Sequence, residues 1–229
     1  MLFVWIAAYG LCCNMGRWIS VTWLPDSWMT AISSVIYTIS LLCYIKKTNN
    51  NNILGLSTAM ELDNTTLIFI LTALLFPIYN VAFGNPVAPN LPELLYMLCV
   101  AAVEELLFRG LLVCKLSRQY GPKCIPLSAI LFSMMHLVNL TVGIGLEYAV
   151  LQVVCAFSAG LCYAAGSLWC RSILPCVIIH FLTNITGSNT TDFIHTNSGS
   201  FGILLCITIQ VVCGTWLYLK IKEKIKECD

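Results

Sequence analysis

The feature that most constrains this chain is a succession of apolar stretches, each about 17 to 22 residues long and separated by short polar joints, long enough as helices to cross a bilayer core of roughly 30 Å. Hydrocarbon offers no partner for a peptide N–H or C=O, so such stretches must satisfy their own backbones as helices. The composition agrees. Apolar residues make up 59% of the 229 positions and charged residues only 10%, and the mean hydropathy is +0.84, far from the balance of a water-soluble domain. The fold class this implies is all-α: a polytopic transmembrane helix bundle of about eight helices, forming a single membrane domain over residues 1–229.

The pattern places helices at Leu2 to Ser20, Trp28 to Ile45, Thr66 to Phe83, Leu91 to Cys114, Cys124 to Leu140, Tyr148 to Ser167, Arg171 to Gly187 and Ser200 to Leu219. The joints carry turn chemistry: the asparagine run Asn49 to Asn52, the proline- and glycine-rich Gly84 to Pro92, the pair Gly121 and Pro122, and the polar Ser188 to Ser200. The first stretch lacks the basic start and small-residue cleavage site of a signal peptide and is expected to remain as a helix. With eight helices, Lys46, Lys47, Lys115, Arg118, Lys123, Arg171, Lys220, Lys222, Lys224 and Lys226 fall on one side, against Arg17 alone on the other. The positive-inside rule then puts both termini in the cytoplasm, and the short joints suit a bacterial plasma membrane. Trp18, Trp23, Trp28, Trp169 and Trp216 fall near helix ends, where amphipathic rings anchor at the headgroups.

The cations form no stripe and the net charge is only +1, which argues against a nucleic-acid partner. Thirteen cysteines are scattered through the apolar runs with no CxxC pair and one adjacent pair, Cys12 and Cys13, so neither a zinc ribbon nor a disulfide framework is indicated. Ala156, Gly160 and Ala164 form a small-residue stripe that allows a neighbouring helix to approach closely.

The informative residues are those that hydrocarbon rejects. Glu104, Glu105 and Arg109 lie within an apolar helix, where each costs roughly 2.5 to 3.5 kcal/mol at the centre on insertion scales. Glu105 and Arg109 are four apart and can form an ion pair, whereas Glu104 points about 100° away round the helix. A purely structural ionic clamp accounts for the first two and leaves Glu104 unexplained. Two of the three histidines, His136 and His180, also fall in predicted helices, while His195 lies in a polar joint. At about 1.5 Å per residue, Glu104, His136 and His180 lie roughly 16, 20 and 14 Å from their cationic joints, which brings a carboxylate and two imidazoles to nearly one depth. Asn184 is one turn beyond His180 and is either an interhelical hydrogen-bond link or a donor to the site; Phe132, one turn before His136, reads first as packing.

The ordered trio Glu104-Glu105-Leu-Leu-Phe-Arg109, Phe132-Ser-Met-Met-His136 and His180-Phe-Leu-Thr-Asn184 resembles the EExxxR, FxxxH and HxxxN motifs of the CPBP family of intramembrane proteases. That family includes the type II CAAX prenyl endopeptidases and bacterial relatives linked to bacteriocin processing and immunity. The run Gly166-Ser-Leu-Trp is similar to the family's usual approach to its last motif, and the resemblance marks residues 91–186 as a CPBP-like catalytic core. It implies an intramembrane endopeptidase acting on a membrane-associated peptide or protein. In it Glu104 is the general base, His136 shares the water or its proton, and His180 and Asn184 stabilise the oxyanion. Glu105, Arg109 and Phe132 support these groups. The chemistry is sound, because a carboxylate shielded from bulk water is a stronger base and donors in a low dielectric are effective. No metal or other cofactor is implied. A zinc peptidase using the same carboxylates and histidines is the first alternative, weakened by the lack of an HExxH helix; a non-catalytic immunity or peptide-binding protein is the second.

Overall fold

The computed structural model describes residues 4, 5, 8, 26–48, 60–84, 88–142, 145–187 and 197–227. Every regular element among them is helical: α1 (Asp26–Lys47), α2 (Asn64–Ala73), α3 (Leu75–Phe83), α4 (Leu91–Glu105), a π-helical segment (Leu106–Leu112) and α5 (Val113–Tyr120). A 3₁₀ turn (Gly121–Lys123) leads to α6 (Cys124–Met135), a second 3₁₀ segment (His136–Val142), α7 (Leu146–Cys170), α8 (Leu174–Gly187) and α9 (Asn197–Lys226). The all-α membrane bundle read from the sequence is the architecture observed. Four helices among the described residues are long and apolar enough to cross a membrane: Ser27–Lys47, Asn64–Phe83, Leu146–Cys170 and Ser200–Lys226. The predicted first helix lies outside the described residues except for helical Val4, Trp5 and Ala8. The asparagine run and His195 lie outside them too.

Local chemistry explains the boundaries. Asp63 caps α2 by accepting from the Thr66 N–H at 2.6 Å, a bond that holds its carboxyl below the usual range. Asn90 and Glu93 form a reciprocal capping box at the start of α4, with Pro92 in the first turn. The predicted Thr66 to Phe83 helix is broken at Leu74, because Pro77 has no N–H to offer the Ala73 carbonyl. Arg171 does not begin the seventh helix as predicted; it closes α7 in the left-handed region at φ 56°. The predicted Cys124 to Leu140 helix keeps α geometry only to Met135, since an apolar run does not distinguish α from 3₁₀ winding.

Packing follows the small residues. A Cβ on Gly160 would stand 3.1 Å from Ala129 Cα and 3.3 Å from Phe132, so the stripe Ala156, Gly160 and Ala164 does admit α6 to close range against α7. Outward faces carry Ile32, Ile36, Ile39, Leu67, Leu71, Leu204, Leu205 and Val212, all exposed, as a lipid-facing surface requires. At one end of the bundle the starts of α2 and the ends of α7 and α9 meet. There the Trp169 indole donates to Asp63 at 3.1 Å, Lys220 lies over Trp216 and Trp169, and Arg171 pairs with Glu61.

A side chain at Gly166 would also disturb the packing, since a Cβ there would sit 2.3 Å from the fully buried Phe69 ring. Gly166→Ala is expected to lower stability by about 1 to 3 kcal/mol through overpacking, read as a lower melting temperature in detergent, with partial recovery when Phe69→Leu is added.

Candidate active site

Glu104 and Glu105 are the last two residues of α4, and the helix passes directly from them into the π segment that carries Arg109. A wider turn in mid-helix is uncommon and recurs at functional sites. The sequence gives no sign of it, because the pattern Leu-Leu-Phe-Arg-Gly-Leu-Leu is equally apolar on either winding. Ser128 of α6 donates to the Phe108 carbonyl at 3.2 Å and ties this segment to its neighbour.

Glu105 and Arg109 are both fully buried and paired at 2.9 Å. The same carboxylate oxygen, Oε1, also accepts from His180 Nδ1 at 2.9 Å. One buried carboxylate thus joins the first motif to the third. Arg109 Nε and Nη2 find no hydrogen-bond partner among the described residues. The guanidinium lies instead over Phe132, 4.1 Å from the ring centroid, and faces Tyr163 at 5.5 Å, so aromatic faces supply the remaining stabilisation. Phe132 also meets His136 and His180 edge-on, at 5.1 and 6.0 Å between centroids. It is packing, as its apolar character suggests, but packing that touches Arg109, His136 and His180.

The other imidazole nitrogen, His180 Nε2, lies 3.6 Å from Glu104 Oε2. That is too long for a direct hydrogen bond. With Nδ1–H committed to Glu105, a neutral ring leaves Nε2 as an acceptor, and a protonated ring makes it a donor. His136 stands where α6 gives way to the 3₁₀ segment, and its Nδ1–H donates to the Phe132 carbonyl at 3.2 Å, which turns Nε2 away as the acceptor of a neutral ring. His136, His180 and Asn184 line one cavity of about 160 Å³ with Tyr163, Gln152 and Phe76, a size that admits a benzene-like group. Asn184 faces this cavity, and a bond between α3 and α8 is made by Asn80 and Thr186 at 3.3 Å. The structure therefore brings Glu104, Glu105, Arg109, Phe132, His136, His180 and Asn184 together from α4, the π segment, α6, the 3₁₀ segment after it and α8. Sequence reasoning passed over Tyr163 and Gln152, which sit in an apolar helix without a motif.

The profile of the Rce1-like family of type II CAAX prenyl endopeptidases matches residues 65–186, more than half of the chain. The chain belongs to this family. Among curated proteins none matches. The match extends back through α2 and α3, so the third predicted helix, unrecognisable by motif, is part of the family region of this Rce1-like protein. The family makes the chain an integral membrane protease, a hydrolase of the intramembrane endopeptidase kind.

Removing Arg109 would leave the Glu105 carboxylate buried without its counter-charge, which costs roughly 3 to 5 kcal/mol. Arg109→Ala is expected to reduce the yield of folded protein severely, as measured by fluorescence-detected size-exclusion chromatography of membrane extracts. A normal yield would mean that Glu105 does not depend on the pair.

Proposed function

We propose that this Rce1-like protein is a glutamate-dependent endopeptidase that cleaves a membrane-associated peptide or protein within the bilayer, with no metal. The observation that carries this reading is the placing of His180 between two carboxylates, Nδ1 on Glu105 and Nε2 facing Glu104, beside a cavity shared with His136 and Asn184. Glu104 draws a proton from a water, which attacks the scissile carbonyl. His136, its Nε2 available as an acceptor, takes up that proton and passes it to the leaving amine. The protonated His180 ring donates from Nε2, and Asn184 from its amide, to the oxyanion of the tetrahedral intermediate. Glu105 and Arg109 fix the His180 ring in the orientation this requires.

Zinc chemistry would need the same side chains as ligands. Glu105 Oε1 already receives N–H groups from Arg109 and His180, which favours assigning each polar residue one role without metal. The cations of the joints, together with the tryptophan–lysine cluster where α2, α7 and α9 meet, support an orientation with that end in the cytoplasm and both termini on the same side.

Two measurements on purified protein test this. Glu104→Ala is expected to accumulate as folded protein while peptide cleavage falls by about a hundred- to ten-thousandfold, the contribution of a general base. Wild-type cleavage is expected to survive exhaustive chelation. Substantial activity in Glu104→Ala would refute the general-base assignment, and activity lost to chelator and restored by stoichiometric zinc would establish the metal reading.

A further inference from the structure

Most of the cavity wall is apolar, formed by Phe76, Phe132, Ala156 and Ala159. A peptide lying there must find donors for the carbonyls it loses from its own helix, because an unpaired carbonyl in hydrocarbon costs several kcal/mol. Gln152 of α7, one turn before Ala156, is a polar exception in that wall, and no motif includes it. Its Oε1 accepts from Asn139 Nδ2 at 2.8 Å. Asn139 follows His136 by three residues inside the 3₁₀ segment, and at three residues per turn the two side chains lie on one face. The turn that presents His136 therefore also orients the Gln152 amide. With Oε1 engaged, Nε2 retains two N–H donors, and among the described residues Gln152 takes part in no other hydrogen bond.

We propose that Gln152 is a substrate-binding residue that donates a hydrogen bond to a backbone carbonyl beside the scissile bond, with Asn139 as the positioning residue that keeps the amide in that sense. The inference rests on the peptidase reading above. It assigns the site a preference that is independent of the substrate side chain at this position: any residue serves there if its segment is unwound and its carbonyl free. The change from α to 3₁₀ winding at His136 then has a use, since it places a proton carrier and the support of the substrate anchor on one short turn.

The test uses full-length protein in detergent and a tryptic peptide library made from total membrane protein, with cut sites read by mass spectrometry and KM and kcat then measured on two synthetic peptides spanning the best sites. Gln152→Glu keeps an oxygen for Asn139 but turns a second oxygen to the cavity. Asn139→Asp can only accept, so it reverses the Gln152 amide and turns its oxygen inward. Both variants are expected to melt close to wild type and to raise KM roughly five- to tenfold, the size of one lost hydrogen bond, with kcat changed by less than about twofold. Unchanged KM in either variant, a fall confined to kcat, or loss of folded protein in both would overturn the proposal. If wild-type protein cuts no peptide of the library, the peptidase reading fails first and this inference with it.

Discussion

A single carboxylate oxygen, Glu105 Oε1, takes N–H groups from both Arg109 and His180 at 2.9 Å in a fully buried setting. In an apolar bundle this is the interaction on which the rest depends. Leaving any one of the three groups without the others would expose a charge or an unpaired polar atom to a medium that cannot solvate it. The three groups come from α4, the π segment and α8, so satisfying them fixes the relative register of the helices that carry the first and third motifs. The aromatic rings of Phe132 and Tyr163 complete the Arg109 environment and bring α6 and α7 into the same arrangement.

The surrounding scaffold works through close approach. Gly160 and Gly166 let α7 pass within van der Waals distance of α6 and α2, and α7 also packs against α9. Buried glycine, alanine and serine are the residues by which helices associate where no water drives them together. The cavity beside His136 and His180 is a place where this packing is incomplete, and the proposed chemistry uses the space that the aromatic and small residues leave open. The helices α6 and α8 are shorter than a full crossing; His136 stands at the end of α6 and His180 in the middle of α8.

Much of this was legible in the sequence because the membrane makes polar residues conspicuous. Glu104, Glu105, Arg109, His136, His180 and Asn184 stand out against apolar neighbours, and counting residues from the cationic joints placed three of them at a common depth. The all-helical fold followed from the same contrast. What stayed hidden depends on winding and on contacts. The π turn at Leu106 to Leu112 and the 3₁₀ turn at His136 leave no trace in an apolar pattern. The spacing of Glu105 and Arg109 announced their pair, but nothing local could announce the second partner, His180, which is 75 residues away. Gln152 was invisible for a similar reason: a single amide in an apolar helix gains meaning only from the Asn139 side chain opposite it.

The proposed chemistry has Glu104, standing beside this buried relay, activate the water that cleaves peptide bonds within the membrane. The most direct measurement compares, by mass spectrometry, the peptides and protein termini of native membranes containing wild-type protein with those containing equal amounts of folded Glu104→Gln. Expected is a set of new termini, located in or at the edge of apolar segments, that appears with wild-type protein and is missing with the variant. Identical termini in the two membranes, with both proteins folded and equally abundant, would contradict it.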